Sequence, residues 1–160
     1  MSGPFRVLFL CTGNSARSQI AEALLNHGGA GRFEAESAGT EPAARVNPGA
    51  VEALAGAGIE WHGHAPQSVD GLERRPWDLV VTVCDDAKES CPIFPAGPAV
   101  AHWGMPDPAA AEGDAATKRA VFLDTLDVLR RRIEALLKLP VKELPRPVLQ
   151  DRVRAIGSIR

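Results

Sequence analysis

The 160-residue sequence lacks long apolar runs and a large excess of charge of either sign. The early apolar run from Val7 to Leu10, behind Phe5, is too short for a signal-peptide core or a membrane span. A formal net charge of −2 argues against the general attraction to nucleic acid or anionic lipid that basic proteins show. We therefore expect a cytoplasmic protein that binds neither membranes nor nucleic acid.

Cysteine is scarce and tyrosine is absent, with three residues and none respectively. Three cysteines, an odd number, do not suggest a permanent disulfide framework in a reducing compartment, so the thiols need another explanation. A chain of this length with 45% hydrophobic residues buries one sizeable core. We predict one domain over residues 1–138, followed by a proline-rich linker and a short tail of unassigned role over residues 139–160.

Segments typical of strands alternate with segments typical of helices. Short apolar runs predict strands at 6–10, 33–37, 78–83 and 99–102. Apolar residues at helical spacing predict helices after residue 18, at 47–55 and at about 117–137. This alternation predicts an α/β fold, a three-layer αβα arrangement around a four-stranded parallel sheet, with ligands bound at the carboxyl ends of the strands.

The first predicted strand and helix are joined by Cys11-Thr12-Gly13-Asn14-Ser15-Ala16-Arg17-Ser18, here called the oxyanion loop. Backbone N–H groups and the dipole of the following helix converge there, which suits a tetrahedral oxyanion beside a nucleophile. We expect the same field to lower the pKa of Cys11, and Arg17 to hold two oxyanion oxygens. Gly13 and Asn14 suit the backbone turn, and Ser15 and Ser18 offer hydroxyls to the thiolate. A buried, inert cysteine is the alternative.

With these residues in view, the sequence resembles the low-molecular-weight protein tyrosine phosphatases and the thioredoxin-coupled arsenate reductases that share their fold. The resemblance runs from about Val7 to Leu137. Its anchors are residues 11–22, Ser37-Ala38-Gly39, residues 80–84, Cys91-Pro92, His102-Trp103-Gly104 and Asp107-Pro108. The resemblance implies that Asp107 protonates the leaving oxygen in either branch, whereas a plain turn aspartate is the alternative.

Two features favour the reductase branch. Phosphatases of this family follow Asp-Pro with tyrosines that line the aryl-substrate cleft, whereas residues 109–111 are alanines here. Cys84 and Cys91 match the additional redox cysteines of the reductases. The resemblance implies that Cys11 attacks arsenate, Cys84 attacks Cys11 and releases arsenite, and Cys91 attacks Cys84, leaving a disulfide that thioredoxin reduces. Phosphate and sulfate would compete for the loop. A small phosphatase, a non-catalytic redox or oxyanion sensor, and glutaredoxin as the electron donor are the alternatives.

The spacing of Cys84 and Cys91 limits how these two residues can form a disulfide. Seven residues span about 10.5 Å in a helix, whereas a disulfide needs Cα atoms within about 7 Å. We therefore predict that the charged segment 85–90 is mobile. A zinc site with His102 is a further interpretation, but the spacing of the two cysteines is unlike that of structural zinc.

The resemblance also implies a potassium site beside the oxyanion loop. Asn14, Glu22 and Ser37 match three of its side chains, and Gln67 stands where an aspartate is expected. No tightly bound cofactor is expected otherwise. The remaining histidines, His27, His62 and His64, have no partner visible in the sequence, and we expect them on surfaces or in turns.

Overall fold

The computed structural model describes residues 3–61, 63–84 and 91–160. Within these ranges the chain forms four strands and four α-helices. The strands are β1 (Phe5–Cys11), β2 (Phe33–Gly39), β3 (Leu79–Thr82) and β4 (Ala99–His102). The helices are α1 (Arg17–Gly28), α2 (Pro48–Gly56), α3 (Ala115–Leu137) and α4 (Arg146–Ile156), with 3-10 turns at Leu72–Arg74 and Pro108–Ala110.

The four strands form one parallel sheet in the order β2-β1-β3-β4. Residues 7–10 of β1 and 79–81 of β3 have no exposed surface. Because successive side chains of a strand point to opposite faces, continuous burial means that both faces of the central strands are covered. The predicted α/β fold with a four-stranded parallel sheet is therefore confirmed.

Local capping sets where the helices begin. Asn47 precedes Pro48 and accepts a hydrogen bond of 2.8 Å from the Gly49 N–H, which starts α2 where the sequence predicts it. Asp114 accepts a 2.8 Å bond from the Thr117 N–H, so α3 begins two residues earlier than its apolar stripe predicts. The apolar pattern thus locates the helices and the caps set their first residues.

The C-terminal helix α4 packs against the edge strand β4 through Leu149 and Val153. The Val100 N–H donates a 2.9 Å bond to Gln150 Oε1, and the Val100 carbonyl accepts a 3.2 Å bond from Arg154 Nε. Side chains of α4 therefore occupy backbone groups that an edge strand would otherwise expose. The division of the chain at residue 138 stays a prediction.

Candidate active site

The carboxyl ends of the strands lie side by side. Cys11 pairs with Gly39, and Thr82 pairs with His102 in the neighbouring strands. Cys84 follows β3 by two residues, and Asp107 lies in the connection that leaves β4. The segments in which the sequence predicts the site therefore lie together at the carboxyl edge of the sheet.

Four carbonyl oxygens of the oxyanion loop point toward the segment after β2 and accept hydrogen bonds from it. Hydrogen bonds link the carbonyls of Cys11, Thr12, Gly13 and Ser15 to the N–H groups of Thr40, Glu41, Ala43 and Asn47, at 3.2, 2.9, 2.9 and 2.8 Å. The two ends of a peptide unit point in opposite directions, so the N–H groups of the loop face the other side. One of them, the Asn14 N–H, is directed at the Cys11 sulfur.

The first turn of α1 adds to this arrangement. Its N-cap residue is Ala16, whose side chain cannot accept a hydrogen bond, whereas α2 and α3 are capped by Asn47 and Asp114. An uncapped helix N-terminus leaves backbone donors and a partial positive charge at its end. The loop and the helix together fit a tetrahedral oxyanion.

Asn14 anchors one side of the loop. It is fully buried with a φ of 51°, a left-handed conformation that asparagine tolerates better than most residues. Its Nδ2 donates to the Ser18 and Ser37 hydroxyls, each at 2.9 Å, and its Oδ1 accepts from the Gln67 N–H at 3.0 Å. Gly39 lies against the loop so closely that a Cβ there would stand 2.4 Å from the Thr12 carbonyl. Side-chain bonds and close backbone contact therefore fix the loop.

Arg17 lies on the other side of the loop, at the start of α1, and is 8% exposed. Its Nη1 donates a 3.0 Å bond to the Met105 carbonyl, and its Nη2 lies 3.9 Å from Asp107 Oδ2. In the part of the chain that the structure describes, the buried Nε has no hydrogen-bond partner. The bond from Nη1 to the backbone thus anchors the guanidinium, while the buried Nε remains available to bind an anion.

The contacts of Asp107 agree with both interpretations of this residue, as a turn aspartate and as a group of the oxyanion site. Its Oδ1 accepts a 2.9 Å bond from the Ala109 N–H and so starts the 3-10 turn, while its Oδ2 faces Arg17. The side chain is about half exposed. A proton donor at this position stays a prediction, and the geometry places the carboxyl beside the oxyanion loop.

All three cysteines are reduced. The Cys11 and Cys84 thiols are in hydrogen-bonding contact, and Cys84 Sγ lies 3.2 Å from Thr12 Oγ1. The hydrogen bond with Cys84 and burial raise the pKa of Cys11, and these effects outweigh the Arg17 charge and the Asn14 N–H, which lower it. The expected lowering of the Cys11 pKa is therefore wrong for this reduced form, because the second thiol lies against the first.

Cys91 is half-buried, and burial raises the pKa of its thiol. The segment 85–90, which the sequence predicts to be mobile, lies outside the described residues. Within the described ranges no group of three or more histidine, cysteine, aspartate or glutamate side chains is arranged to hold a metal. His102 Nδ1 lies 2.8 Å from the Thr82 hydroxyl, so the structure gives no support to a zinc site with this histidine.

The four residues expected to bind potassium lie together, but they are bonded to one another. The Ser37 hydroxyl donates a 2.7 Å bond to Glu22 Oε1 and accepts one from Asn14, and Gln67 Nε2 donates a 2.9 Å bond to the Ser37 carbonyl. Asn14 Oδ1 already accepts a bond from the Gln67 N–H. Glu22 Oε1, the two Ser37 oxygens and Asn14 Oδ1 are thus engaged in hydrogen bonds, and this arrangement gives no support to a potassium ion.

Two residues of this region were missed at the sequence level. His64 Nε2 lies 3.0 Å from Glu22 Oε1, a partner that is not visible in the sequence. Gln19 is buried in the first turn of α1 and donates to the Asn14 and His64 carbonyls at 3.2 and 3.1 Å. A polar residue directly after an oxyanion loop was the available signal for Gln19. No local signal marked His64, because its partner is 42 residues away.

Fold and site together define a class of protein: a parallel α/β domain with a buried cysteine at the start of an oxyanion loop and a second thiol beside it. The model of the low molecular weight phosphotyrosine protein phosphatase family matches residues 6–148. The chain belongs to this family.

Relatives and solved structures agree with the family. An arsenate reductase of Halalkalibacterium halodurans is 41% identical over 128 residues, covering 80% of this chain and 91% of the relative. A structure described as an arsenate reductase in the phosphate binding state is 26% identical with a TM-score of 0.72, and the match covers 83% and 96% of the two chains. A thioredoxin-dependent arsenate reductase of Corynebacterium glutamicum is 27% identical with a TM-score of 0.65; the match covers 88% of this chain and 63% of that one.

Proposed function

We propose that this protein is an enzyme of arsenic detoxification that reduces arsenate to arsenite with electrons from thioredoxin. The observation that carries the proposal is the contact between the Cys84 thiol, which follows β3, and the Cys11 thiol of the oxyanion loop. Phosphate-ester hydrolysis has no use for a second thiol at the nucleophile. The relatives named arsenate reductases support the substrate, and the Corynebacterium glutamicum neighbour supports the donor.

Arsenate binding is the first step. The oxyanion accepts hydrogen bonds from the loop N–H groups and from Arg17, whose buried Nε has no other partner among the described residues. Phosphate and sulfate share the tetrahedral shape and the charge, so they compete for the same donors.

Formation of the arsenic–sulfur bond follows. The Cys11 sulfur, as the thiolate, attacks arsenic(V), and one arsenic–oxygen bond breaks. Asp107 gives its proton to the departing oxygen, which leaves as water. The pKa of Cys11 is raised in the reduced protein, so the thiol must lose its proton before the sulfur can attack. The negative charge of the bound arsenate, which repels a thiolate, must also be reduced. Transfer of the Cys11 proton to the arsenate accomplishes both.

Electron transfer uses the two adjacent thiols. The Cys84 thiolate attacks Cys11, a sulfur–sulfur bond forms, and the arsenic–sulfur electron pair stays on arsenic, which leaves as arsenite. Cys91 then attacks Cys84 and displaces Cys11 as a thiolate. The product is a Cys84–Cys91 disulfide, which carries the two-electron oxidation and which the thioredoxin dithiol reduces by exchange.

Consumption of NADPH with thioredoxin, thioredoxin reductase and arsenate tests this function. We expect consumption that depends on arsenate, on Cys11 and on Cys84. Loss of Cys84 should abolish turnover without abolishing phosphate binding. Hydrolysis of an aryl phosphate by Cys84→Ser at a rate above any arsenate-dependent consumption by the unchanged protein would instead identify a phosphatase. Among the described residues, no helix has the length and apolar character of a membrane span. A cytoplasmic location is part of this proposal.

A further inference from the structure

A buried guanidinium lies outside the residues that touch the proposed substrate. Arg132 of α3 has no exposed surface, and burial is the first cause that lowers its pKa. Its Nε donates to the Ile159 carbonyl at 3.0 Å, and its Nη1 donates to the Trp103 carbonyl at 3.0 Å. Both Nη atoms also lie 3.4 Å from the Gly104 carbonyl. In the described ranges these partners are all backbone oxygens, and no carboxylate forms an ion pair with Arg132.

Burial of a cation without a carboxylate is costly even when its donors are satisfied. A well-packed apolar side chain in the same space is often equal or better for stability. Stability alone therefore does not account for Arg132. Its distinctive property is that its planar donors connect three parts of the fold. It joins the C-terminal half of α3, the last residues of the sequence and the segment that leaves β4.

The segment that leaves β4 leads directly into the active site. We call residues 103–107 the acid segment. The carbonyls of Trp103 and Gly104 are held by Arg132, and the next carbonyl, that of Met105, is held by Arg17 at 3.0 Å. Two guanidinium groups thus hold three consecutive peptides, and one of these groups belongs to the oxyanion site.

The C-terminal residues brace the start of the acid segment independently of Arg132. Trp103 is fully buried, and its Nε1 donates a 2.8 Å bond to the Val153 carbonyl. A Cβ at Gly157 would stand 2.8 Å from the His102 carbonyl and 3.1 Å from a Trp103 ring carbon, so only glycine fits without movement. These contacts come from residues beyond 148, where the family match ends.

We infer that Arg132 is a positioning residue for oxyanion binding, and that Val153, Gly157 and Ile159 of the C-terminal segment act with it. Arg132 fixes the peptides of the acid segment, and the Met105 carbonyl in turn fixes the Arg17 guanidinium. Loss of this support lets Arg17 and Asp107 move away from the loop, while the thiols on β1 and after β3 keep their places. The effect on arsenate rests on the proposed function, whereas the effect on anion binding does not.

Arg132→Lys is the main test, with Arg131→Lys as its matched control. A single ammonium keeps the charge but cannot reproduce the planar donors that reach Trp103, Gly104 and Ile159. Arg131 is exposed and donates to the Arg160 carbonyl at 2.9 Å, so its replacement touches the same chain end without touching the acid segment. Binding of inorganic phosphate is measured as protection of Cys11 from alkylation, followed by peptide mass spectrometry.

We expect Arg132→Lys to bind phosphate about tenfold more weakly and to raise the KM for arsenate by a similar factor. Arg131→Lys should match the unchanged protein. Reduction of a preformed Cys84–Cys91 disulfide by thioredoxin should keep its rate in both variants, because that step does not use the oxyanion site. A general loss of structure would slow this step as well.

Gly157→Ala provides a second route to the same result, with Ser158→Ala at the exposed neighbouring position as its control. We expect weaker phosphate binding in Gly157→Ala and unchanged phosphate binding in Ser158→Ala. This pair of variants tests the inference if Arg132→Lys does not fold. Unchanged phosphate binding in folded Arg132→Lys or in Gly157→Ala would overturn the inference, as would equal losses in phosphate binding and disulfide reduction. If the unchanged protein binds phosphate but does not reduce arsenate, the proposed function fails and the positioning test still stands.

Discussion

The two sides of the oxyanion loop are held in different ways. On the asparagine side, Asn14 is fixed by side-chain and backbone groups of Ser18, Ser37 and Gln67, at distances of 2.9 to 3.0 Å. On the arginine side, Arg17 is fixed by the Met105 carbonyl, which lies 88 residues along the chain, and faces a half-exposed Asp107. One side is a buried network of short polar side chains, and the other depends on a connection that leaves the sheet.

This difference separates two requirements of the site. The asparagine side sets the backbone of the loop, so its loss should cost stability. In the proposed mechanism, the arginine side positions the groups that meet the oxyanion and its leaving oxygen, so its loss should cost rate or affinity while the fold is kept. Substitutions on the two sides should therefore give effects of different kinds.

Asp107→Asn should have the largest effect on rate. We expect formation of the arsenic–sulfur bond to slow about a hundredfold or more, because the amide cannot supply the proton. The amide can still accept the Ala109 hydrogen bond, so the turn should persist. Rapid-quench measurement of adduct formation checks this. Asp114→Asn is the matched control, since it also caps a turn of helix and lies away from the site; a similar rate loss there would remove Asp107 from the mechanism.

Asn14→Ala should have the largest effect on stability. The substitution removes three buried hydrogen bonds and places alanine at a φ of 51°, so we expect a loss of about 2 to 3 kcal/mol in the free energy of unfolding. Denaturant unfolding gives the value. Asn47→Ala, which removes the single bond that caps α2, should cost about 1 kcal/mol. Equal losses in the two variants would contradict a special role for the Asn14 network.

The asparagine side is also the side that sequence predicts best. The oxyanion loop, the strand before it and the helix after it are consecutive, so a local pattern fixes their order and their chemistry. Continuous apolar runs also predict the central strands, because strands buried on both faces have no polar positions. The presence of the loop can therefore be predicted locally, although Ser37 and Gln67, the partners that fix Asn14, lie 23 and 53 residues away.

The arginine side shows where sequence falls short. Arg17 contacts Met105, and the buried Arg132 contacts Trp103; in each pair the residues are distant in sequence. No local sequence pattern predicts these contacts. The pKa of Cys11 was mispredicted for the same reason, because its main perturbing group, Cys84, lies on another strand connection. Sequence patterns therefore do not reveal contacts that the fold makes between distant segments.

Cys84→Ala should lower the pKa of Cys11. The hydrogen bond with Cys84 is the largest cause of the raised pKa, and its removal leaves burial opposed by Arg17 and the Asn14 N–H. The Cys11 thiolate should then form at lower pH, so alkylation of Cys11 should begin at lower pH than in the unchanged protein. Peptide mass spectrometry across a pH series measures this. Cys91→Ala should leave the profile where it is, and a downward shift in that variant would assign the effect to something other than contact with Cys84.

Potassium should have the smallest effect. In the predicted cation site, Glu22 Oε1, the Ser37 hydroxyl and Asn14 Oδ1 are engaged in hydrogen bonds, and His64 Nε2 lies 3.0 Å from Glu22 Oε1. We expect kcat/KM for arsenate to be the same in potassium and sodium salts at equal ionic strength. A clear gain in potassium would show that the network opens to admit the ion.

The thiol relay is the central claim, and the products of Cys91→Ser after mixing with arsenate test it most directly. The account predicts a single turnover that releases arsenite and leaves Cys11 joined to Cys84, identified by peptide mapping under non-reducing conditions. Sustained turnover with thioredoxin, or arsenite release without a Cys11–Cys84 disulfide, would contradict it.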